Sequence, residues 1–146
     1  CQCPGRRNTR KMKMAFKQTV IARLDRAEEA FESGKILFAA GQYNDSISRF
    51  YYMMLHLVRA LLLTDEVRTK SHRGTQQKFH ELYLKQQVLS PDLGASYMNL
   101  SRDRDSADYD PKIVFTRAEV EAYFPAIEKF REEIIGLINE RLENEE

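Results

Sequence analysis

Residues 45–63 read DSISRFYYMMLHLVRALLL, and their apolar side chains recur at the three- and four-residue steps of a helix. One apolar stripe consists of Ile47, Tyr51, Met54, Val58 and Leu61, and it is widened by Phe50, Leu57 and Ala60. A helix that is apolar on nearly every face lies at the centre of a core or is shared with a second subunit. In a chain of 146 residues we expect both, so this segment predicts a homodimer.

Upstream of this segment, the sequence predicts one amphipathic helix that begins near Phe16. Its apolar stripe comprises Phe16, Val20, Leu24, Ala27 and Phe31. Gly34 continues the stripe without a side chain, which indicates the close approach of another helix. Gly41 suits the left-handed residue that ends a helix, and Asn44 or Asp45 can cap the next helix.

Downstream of the segment, three further helices are predicted. The first covers about residues 75–87, and Ser90-Pro91 provides the N-cap and the first residue of the second. Residues 116–119 fit the Ser/Thr-x-x-Glu capping box that opens the last helix, which Pro125 should kink or restart. Strand-like alternation is confined to residues 112–115. The predicted fold class is therefore all-α, a bundle of four to five helices with up-down connectivity.

Charge divides the chain into two parts. Residues 1–14 contain five basic side chains and no acidic one, whereas the other 132 residues contain 18 basic and 22 acidic side chains. We expect residues 1–14 to be a disordered basic extension, of native or vector origin, and residues 15–146 to form the helical bundle. Because the bundle is acidic overall, any nucleic-acid site on it must be a local patch.

Composition also bounds the compartment and the chemistry. The longest apolar run, residues 50–63, contains His56 and Arg59 and is shorter than the roughly 20 residues that cross a bilayer, so no membrane span is predicted. Both cysteines lie in the first three residues, which favours a cytoplasmic protein. His72 and His80 have no third ligand at a suitable spacing, so no metal is predicted, and no cofactor motif is present.

Several short motifs follow one another along residues 16–140. They are Gly41-Gln42-Tyr43, the aromatic segment FYYMMLH at 50–56, Ala60-Leu61-Leu62, Ser71-His72-Arg73-Gly74, and Arg102 followed by Ala107-Asp108-Tyr109-Asp110. In their order and spacing they resemble the HEPN family (higher eukaryotes and prokaryotes nucleotide-binding). The resemblance implies a four- or five-helix bundle that dimerises. It also implies action beside a small, separately encoded nucleotidyltransferase, often as a toxin–antitoxin pair.

The catalytic branches of that family cleave RNA and carry an Arg, then four to six residues, then a His. One form adds a Tyr two residues after the His. On this sequence Arg102 matches the Arg and Tyr109 matches the Tyr, but Ala107 stands at the position of the His. No other histidine follows Arg102. The resemblance further implies that Tyr109 could accept a nucleotidyl group from the partner enzyme.

The missing histidine limits the chemistry of this motif. Metal-independent RNA cleavage needs a base for the ribose 2′-hydroxyl and a cation for the charge of the phosphorane. Arg102 and Arg104 can supply the cation, whereas Ala107 can supply no base. A phenol, with an ordinary pKa of about 10, is a poor base at neutral pH. A ribonuclease would therefore use Arg102 with atypical chemistry from Tyr109 or His72.

The same helix offers a candidate nucleotide site. Arg102 and Tyr109 are seven residues apart and share a helix face, where they can bind a phosphate and stack on a base. The predicted nucleotide-binding residues are Arg102, Arg104, Asp105, Asp108 and Tyr109, together with His72 and Arg73 at the start of another helix. The alternative is a solvated helix surface with the ion pairs Arg102–Asp105 and Arg104–Asp108, in which His72 and Arg73 only begin their helix.

Three functions therefore stay open. The first is a homodimeric module that binds a nucleotide or a partner and acts with a nucleotidyltransferase. It predicts heat stabilisation by a nucleotide that Arg102→Ala abolishes. The second is a metal-independent endoribonuclease that uses Arg102 within a degenerate motif, and the third is a non-catalytic dimeric scaffold. We favour the first because Ala107 replaces the motif histidine.

Overall fold

The structure is a computed structural model that describes the backbone of residues 5–144 and the side chains of residues 14–144. Within these residues the chain forms six α-helices and one π-helical turn, with no strand. In chain order the elements are α1 (Gly5–Ala39), α2 (Tyr43–Thr64), α3 (His72–Phe79), the π-helical turn His80–Leu84, α4 (Asp92–Tyr109), α5 (Arg117–Glu121) and α6 (Phe124–Asn144). The predicted all-α bundle is confirmed.

Helix α2 forms the centre of the core. It is buried along most of its length, and α1, α3, α4, α5 and α6 all contact it. The apolar surface that predicted a shared helix is therefore covered within a single chain. The composition of α2 does not by itself require a second subunit, and the predicted homodimer must use another surface.

The connection between α1 and α2 is a tight turn closed by glycine. Gly41 has a φ of 80°. Its N–H donates to the carbonyl of Phe38 at 3.1 Å, and the N–H of Gln42 donates to the carbonyl of Leu37 at 2.8 Å. This pair of hydrogen bonds is the Schellman pattern, in which a left-handed residue ends the helix. The role predicted for Gly41 is confirmed.

Helices α1 and α2 approach each other most closely at Gly34. A Cβ atom built on Gly34 would lie 2.6 Å from Cε1 of Phe50, which is closer than two carbon atoms can pack. The hydroxyl of Ser46, which is buried in α2, donates to the carbonyl of Gly34 at 3.0 Å. The close approach predicted from Gly34 is confirmed.

Asn44 connects α2 to the segment that follows α4. Helix α2 begins at Tyr43, and its N-cap residue Gln42 makes no side-chain cap, so the prediction that Asn44 or Asp45 caps this helix is wrong. The Nδ2 of Asn44 donates to the carbonyl of Ile113 at 2.9 Å, and its Oδ1 accepts the N–H of Phe115 at 2.9 Å. These two bonds hold the segment after α4 against the start of α2.

Helices α3 and α4 begin differently from the prediction. Helix α3 begins at His72, earlier than predicted, because the hydroxyl of Ser71 accepts the N–H of Gly74 at 2.9 Å. Ser90 does not cap α4, because its hydroxyl donates to Oε1 of Glu133 in α6 at 2.9 Å.

The last predicted helix consists of two helices, α5 and α6. The Oγ1 of Thr116 accepts the N–H of Glu119 at 3.2 Å, and the side chain of Glu119 accepts the N–H of Thr116 at 3.2 Å. The predicted capping box is confirmed. Helix α5 ends after little more than one turn, and α6 begins at Phe124, one residue before Pro125. The proline therefore starts a new helix.

Helix α1 begins at Gly5, well before the predicted start near Phe16. The backbone of residues 5–14 continues this helix, and residues 1–4 lie outside the described residues. The division of the chain into an extension and a bundle stays a prediction. Across the described part of the chain, no helix combines the length and apolar character needed to span a bilayer.

Candidate functional site

Helix α4 presents the predicted motif residues Arg102 and Tyr109 to solvent. The helix continues to Tyr109, so the two residues share one face as predicted. Tyr109 is 87% exposed, and Arg102 is also exposed, with its Nη2 donating to Oδ1 of Asn99 at 3.3 Å. The predicted Arg102–Asp105 ion pair does not form, because Asp105 instead accepts from Arg104 at 2.7 Å.

The inner face of α4 explains this orientation. Its buried residues are Leu93, Tyr97 and Leu100, which follow the helical period and pack in the core. Ala107, at the position of the motif histidine, is partly buried against the same core. Asp103 accepts a short hydrogen bond from the hydroxyl of Tyr123, between α5 and α6. These contacts hold the C-terminal half of α4 in place.

Arg104 lies on the inner side of the same helix and contacts two tyrosines of α2. Its side chain is 15% exposed, and its guanidinium carbon lies 4.6 Å from the ring centroid of Tyr51 and 5.6 Å from that of Tyr52. Its Nη1 donates to the hydroxyl of Tyr52 at 3.3 Å. The predicted ion pair with Asp108 forms at 3.7 Å, beside the shorter pair with Asp105. Two rings and two carboxylates therefore hold Arg104.

His72, at the start of α3, completes this cluster from the opposite side. Its ring centroid lies 5.6 Å from that of Tyr51 and 6.0 Å from that of Tyr52. Burial lowers the pKa of His72 below its ordinary value, and the positive charges of Arg104 and Arg59 lower it further. The imidazole is therefore mostly neutral at pH 7 and able to accept a proton.

The structure places Arg73 on a different surface from His72. Arg73 lines a groove of about 630 Å³ between α3, the π-helical turn and α4. The groove is mostly apolar, and Met98, which also lines it, is 64% exposed. Of the predicted nucleotide-binding residues, the structure thus brings Arg104, Asp105, Asp108 and His72 to one cluster, and it leaves Arg102 and Tyr109 on the outer face of α4.

Part of α2 joins this cluster, which the sequence did not predict. The apolar stripe included Tyr51, and Tyr52 had no role beyond the aromatic segment 50–56, but Tyr52 is only partly buried and bonds to Arg104. The guanidinium carbon of Arg49 lies 5.3 Å from the ring centroid of Tyr52. A usable signal was present, because polar residues interrupt the apolar α2 at helical steps from Arg49 through Tyr52 to Arg59. Among the described side chains, no cluster of His, Cys, Asp or Glu could hold a metal ion.

A family model described as the HEPN domain matches residues 20–140. This chain belongs to the HEPN family. The matched region includes all of α2 to α5 and most of α6, so it contains both the outer face of α4 and the cluster around His72.

This HEPN protein is similar to proteins of several organisms, among them Methanocaldococcus jannaschii and Thermotoga maritima. One, from Methanocaldococcus jannaschii, bears the name "Putative toxin" and is 32% identical over 111 residues, which are 75% of this chain and 75% of the relative. A second protein of that organism with the same description is 30% identical over 94 residues, 64% of this chain and 70% of the relative. A UPF0332 protein of Thermotoga maritima is 26% identical over 115 residues, 79% of this chain and 87% of the relative.

Proposed function

We propose that this HEPN protein is the toxin-type component of a toxin–antitoxin module. In this proposal it acts in the cytoplasm as a homodimer beside a small nucleotidyltransferase, and the outer face of α4 binds a nucleotide or that partner. The family match supports the HEPN assignment, and the relatives at 32% and 30% identity both bear the name "Putative toxin". Arg102 and Tyr109 of α4 match two residues of the family motif, and this resemblance supports nucleotide binding and a nucleotidyltransferase partner.

The observation that carries the proposal is the joint exposure of Arg102 and Tyr109. Among the side chains that the structure describes, Tyr109 is the most exposed large apolar one, at 87%, and so contributes little to the core. Arg102 donates only to the neutral Asn99 among the described residues, so its charge is not compensated by a carboxylate. A guanidinium can bind two phosphate oxygens at once, and a phenol ring can stack on a base.

Arg104 and its carboxylate partners have a supporting role in this proposal. Asp105 and Asp108 both pair with Arg104, which is held against the rings of Tyr51 and Tyr52. They therefore anchor the end of α4 to α2. We infer that Arg102 and Tyr109 contact the ligand, whereas Arg104, Asp105 and Asp108 position the helix that carries them.

The same face supplies a surface for the proposed homodimer. Met98, Arg102 and Tyr109 lie along one line of α4, because Met98 and Tyr109 are eleven residues, or about three turns, apart. Both end residues are exposed. A second copy placed on this line would cover Met98 and bring two Arg102 side chains to one cleft, with Tyr109 at its open edge.

Tyr109 is also the proposed acceptor of a nucleotidyl group. Its phenolic oxygen would attack the α-phosphorus of a nucleoside triphosphate bound to the partner enzyme. A phosphorus–oxygen bond to Tyr109 forms, the bond from the α-phosphorus to the bridging oxygen breaks, and pyrophosphate leaves. The phenolic proton passes to a base of the partner. The exposure of Tyr109 supports this step, since a second protein can reach the hydroxyl.

Thermal unfolding in the presence of ATP tests the binding proposal. At a ligand concentration of about one hundred times Kd we expect about 2.7 kcal/mol of stabilisation, equivalent to roughly 5–10 °C in Tm for a chain of this size. Arg102→Ala should reduce this shift, whereas Lys85→Ala, which removes an exposed charge elsewhere, should retain it in full. An equal shift in wild type and Arg102→Ala would refute the role of Arg102.

The transfer step needs a separate measurement. Mass spectrometry of the chain purified from cells that also express its nucleotidyltransferase should find a nucleotidyl adduct on the peptide that contains Tyr109. The variant Tyr109→Phe keeps an aromatic ring but has no hydroxyl, so it should lack the adduct and keep the ATP-dependent shift in Tm. An adduct on another residue would refute the role of Tyr109 as acceptor.

A second candidate function is metal-independent RNA cleavage, and the position of His72 favours it. A mostly neutral imidazole beside Arg104 provides a base and a cation within one cluster. Incubation with unstructured RNA and a chelator should then give cut products that disappear in His72→Gln. Loss of cleavage in Arg102→Ala but not in His72→Gln would instead assign the chemistry to the outer face. A chain that neither binds ATP nor cuts RNA, and tolerates Arg102→Ala, would be a scaffold.

A further inference from the structure

A basic surface separate from the outer face of α4 lies near Arg59, at the end of the line of polar residues that runs along α2 from Arg49. Beyond Arg59, the helix borders a cavity of about 260 Å³ between α1, α2 and the connection 65–71. Its polar lining consists of Arg23, Arg59, Arg68 and Lys70 with the hydroxyl-bearing Thr19 and Thr69. This cavity, called the α1–α2 cavity below, contains none of the residues of the outer face of α4.

The four cations of the α1–α2 cavity are not neutralised by the protein. Among the described residues, no carboxylate forms an ion pair with Arg23, Arg59, Arg68 or Lys70. Cations elsewhere on the bundle, such as Arg117, Lys129 and Arg131, do have acidic partners. Because residues 15–146 carry more acidic than basic side chains, this local excess of positive charge is not a consequence of overall composition.

Arg23 is oriented by a neutral partner. Its Nη1 lies 3.1 Å from Nδ1 of His56. Burial and the positive charges of Arg23, Arg59 and Arg26 together lower the pKa of His56 to about 4, and burial has the largest effect. His56 is therefore neutral at pH 7, and its Nδ1 accepts a hydrogen bond from the guanidinium. The contact holds Arg23 without removing its charge.

Arg59 and Arg68 are held in the same manner. The Nε of Arg59 donates to Oγ1 of Thr75 at 3.3 Å, and Thr75 is buried. The guanidinium carbon of Arg68 lies 5.3 Å from the ring centroid of Phe16. All three guanidinium groups are thus positioned by an imidazole, a hydroxyl or a ring, each of them uncharged. Preorganised donors of this kind favour binding of an anion from outside the chain.

The acidic residues of the neighbouring connection do not offset this charge. Asp65 and Glu66 line a different cavity, on the side of Phe16 and Leu142. Asp65 accepts hydrogen bonds from the hydroxyl of Tyr83 and from Arg141 of α6, so its charge is already paired.

We propose that the α1–α2 cavity is a phosphate-binding site, distinct from the outer face of α4. Guanidinium groups bind two phosphate oxygens at once, and the ammonium of Lys70 adds a point charge. The phosphate belongs either to an RNA backbone or to a free nucleotide, which present the same chemistry. The site does not depend on the function proposed for Arg102 and Tyr109.

Two ligands distinguish the sources of the phosphate. Fluorescence anisotropy with a labelled oligouridylate of about ten nucleotides measures RNA binding, and calorimetry with ADP measures nucleotide binding, both with the full chain. The double variant Arg68→Gln/Lys70→Gln removes two exposed cations from the cavity. The matched control Lys35→Gln/Lys85→Gln removes the same charge from exposed positions outside it. Circular dichroism checks that every variant is folded.

We expect the cavity variant to bind at least about tenfold more weakly than wild type, and the control to change by less than about twofold. If RNA is the ligand, the magnitude of the slope of log K against log[salt] should also decrease by about 1.4, because two cations are removed. Loss in the RNA arm alone assigns the cavity to a backbone phosphate, and loss in the ADP arm assigns it to a nucleotide.

Three outcomes would overturn the proposal. The first is a wild-type chain that binds neither ligand, and the second is a control variant that weakens binding as much as the cavity variant does. The third uses Arg102→Gln as a comparison. If this variant loses binding while Arg68→Gln/Lys70→Gln retains it, the phosphate is bound at the outer face of α4 and not in the α1–α2 cavity. That outcome supports the function proposed for the outer face of α4.

Discussion

Substitution of Gly34 by alanine should destabilise the protein, although alanine is normally the better helix former. Gly34 lies within α1, where an exchange of glycine for alanine ordinarily gains about 0.5–1 kcal/mol. Here the added Cβ would lie 2.6 Å from Cε1, 2.8 Å from Cδ1 and 3.0 Å from Cζ of Phe50. The ring of Phe50 or the whole of α2 must move to admit one methyl group.

The surroundings of Phe50 set the size of the effect. The ring is buried and packs against Phe31 and Phe124, with centroid distances of 6.1 Å and 5.9 Å. A cavity of about 90 Å³ between these rings gives Phe50 some room to move. Overpacking of a core costs about 1–3 kcal/mol, and the helix propensity of alanine offsets part of it. We therefore expect a net loss of about 1 kcal/mol, and at most about 2.

Urea unfolding of Gly34→Ala and Gly136→Ala measures this difference. Gly136 lies in α6, and a Cβ built there meets no atom within 4 Å, so the control should be stabilised by about 0.5–1 kcal/mol. With a typical m-value, the two midpoints should move in opposite directions by a few tenths of a molar. Equal stabilisation of the two variants would refute the close packing inferred at Gly34. Addition of Phe50→Leu should rescue Gly34→Ala in part.

Two further predictions concern pH and the segment after α4. Because the pKa of folded His56 is about 4, below its ordinary value of 6.5, the unfolded chain takes up this proton first as the pH falls. The free energy of unfolding should therefore decrease between about pH 6.5 and 4, and an NMR titration of the His56 ring should have its midpoint near pH 4 rather than above about 6. Asn44→Ala should lower the free energy of unfolding by about 1–3 kcal/mol in a urea titration, because it leaves the partly buried carbonyl of Ile113 and N–H of Phe115 without partners. The control Asn99→Ala, on the exposed face of α4, should change the free energy of unfolding by less than about 0.5 kcal/mol.

The helices were largely predictable because their signals are local. The glycine at 41, the capping box at 116–119 and the proline at 125 each act through neighbouring residues, and the structure has all three as predicted. The actual role of Asn44 was not predictable, because its side chain caps no helix and bonds instead to residues about seventy positions away. A sequence pattern contains no information on such a competing partner.

The dimer prediction shows the limit of periodicity. An apolar surface on all sides of α2 indicates that something covers this helix, but it does not identify the covering element. The structure shows that five other helices of the same chain contact it. The homodimer stays a proposal, which rests on the family resemblance and on the exposed line from Met98 to Tyr109.

One part of the candidate site was predictable from the sequence and another part was not. The shared face of Arg102 and Tyr109 follows from their spacing on one helix, and the structure shows it. The contacts of Arg104 with Tyr51 and Tyr52 depend on how α4 crosses α2, and a span of about fifty residues separates the partners. Arg68 lines the α1–α2 cavity from the connection 65–71, which has no regular secondary structure and for which hydrophobic periodicity makes no prediction.

The glycine-closed turn between α1 and α2 has a consequence for the order of folding. The turn contains only three residues, 40–42, so the two longest helices are neighbours in sequence and can pair before distant contacts form. Helix α6 must close a much longer loop to reach α2, at a larger cost in chain entropy. We therefore expect substitutions in the contact between α1 and α2 to slow folding and to have the high kinetic φ-values of a folding nucleus. Substitutions such as Ile134→Val in α6 should mainly accelerate unfolding. The first half of the chain would then act as a template on which the second half condenses.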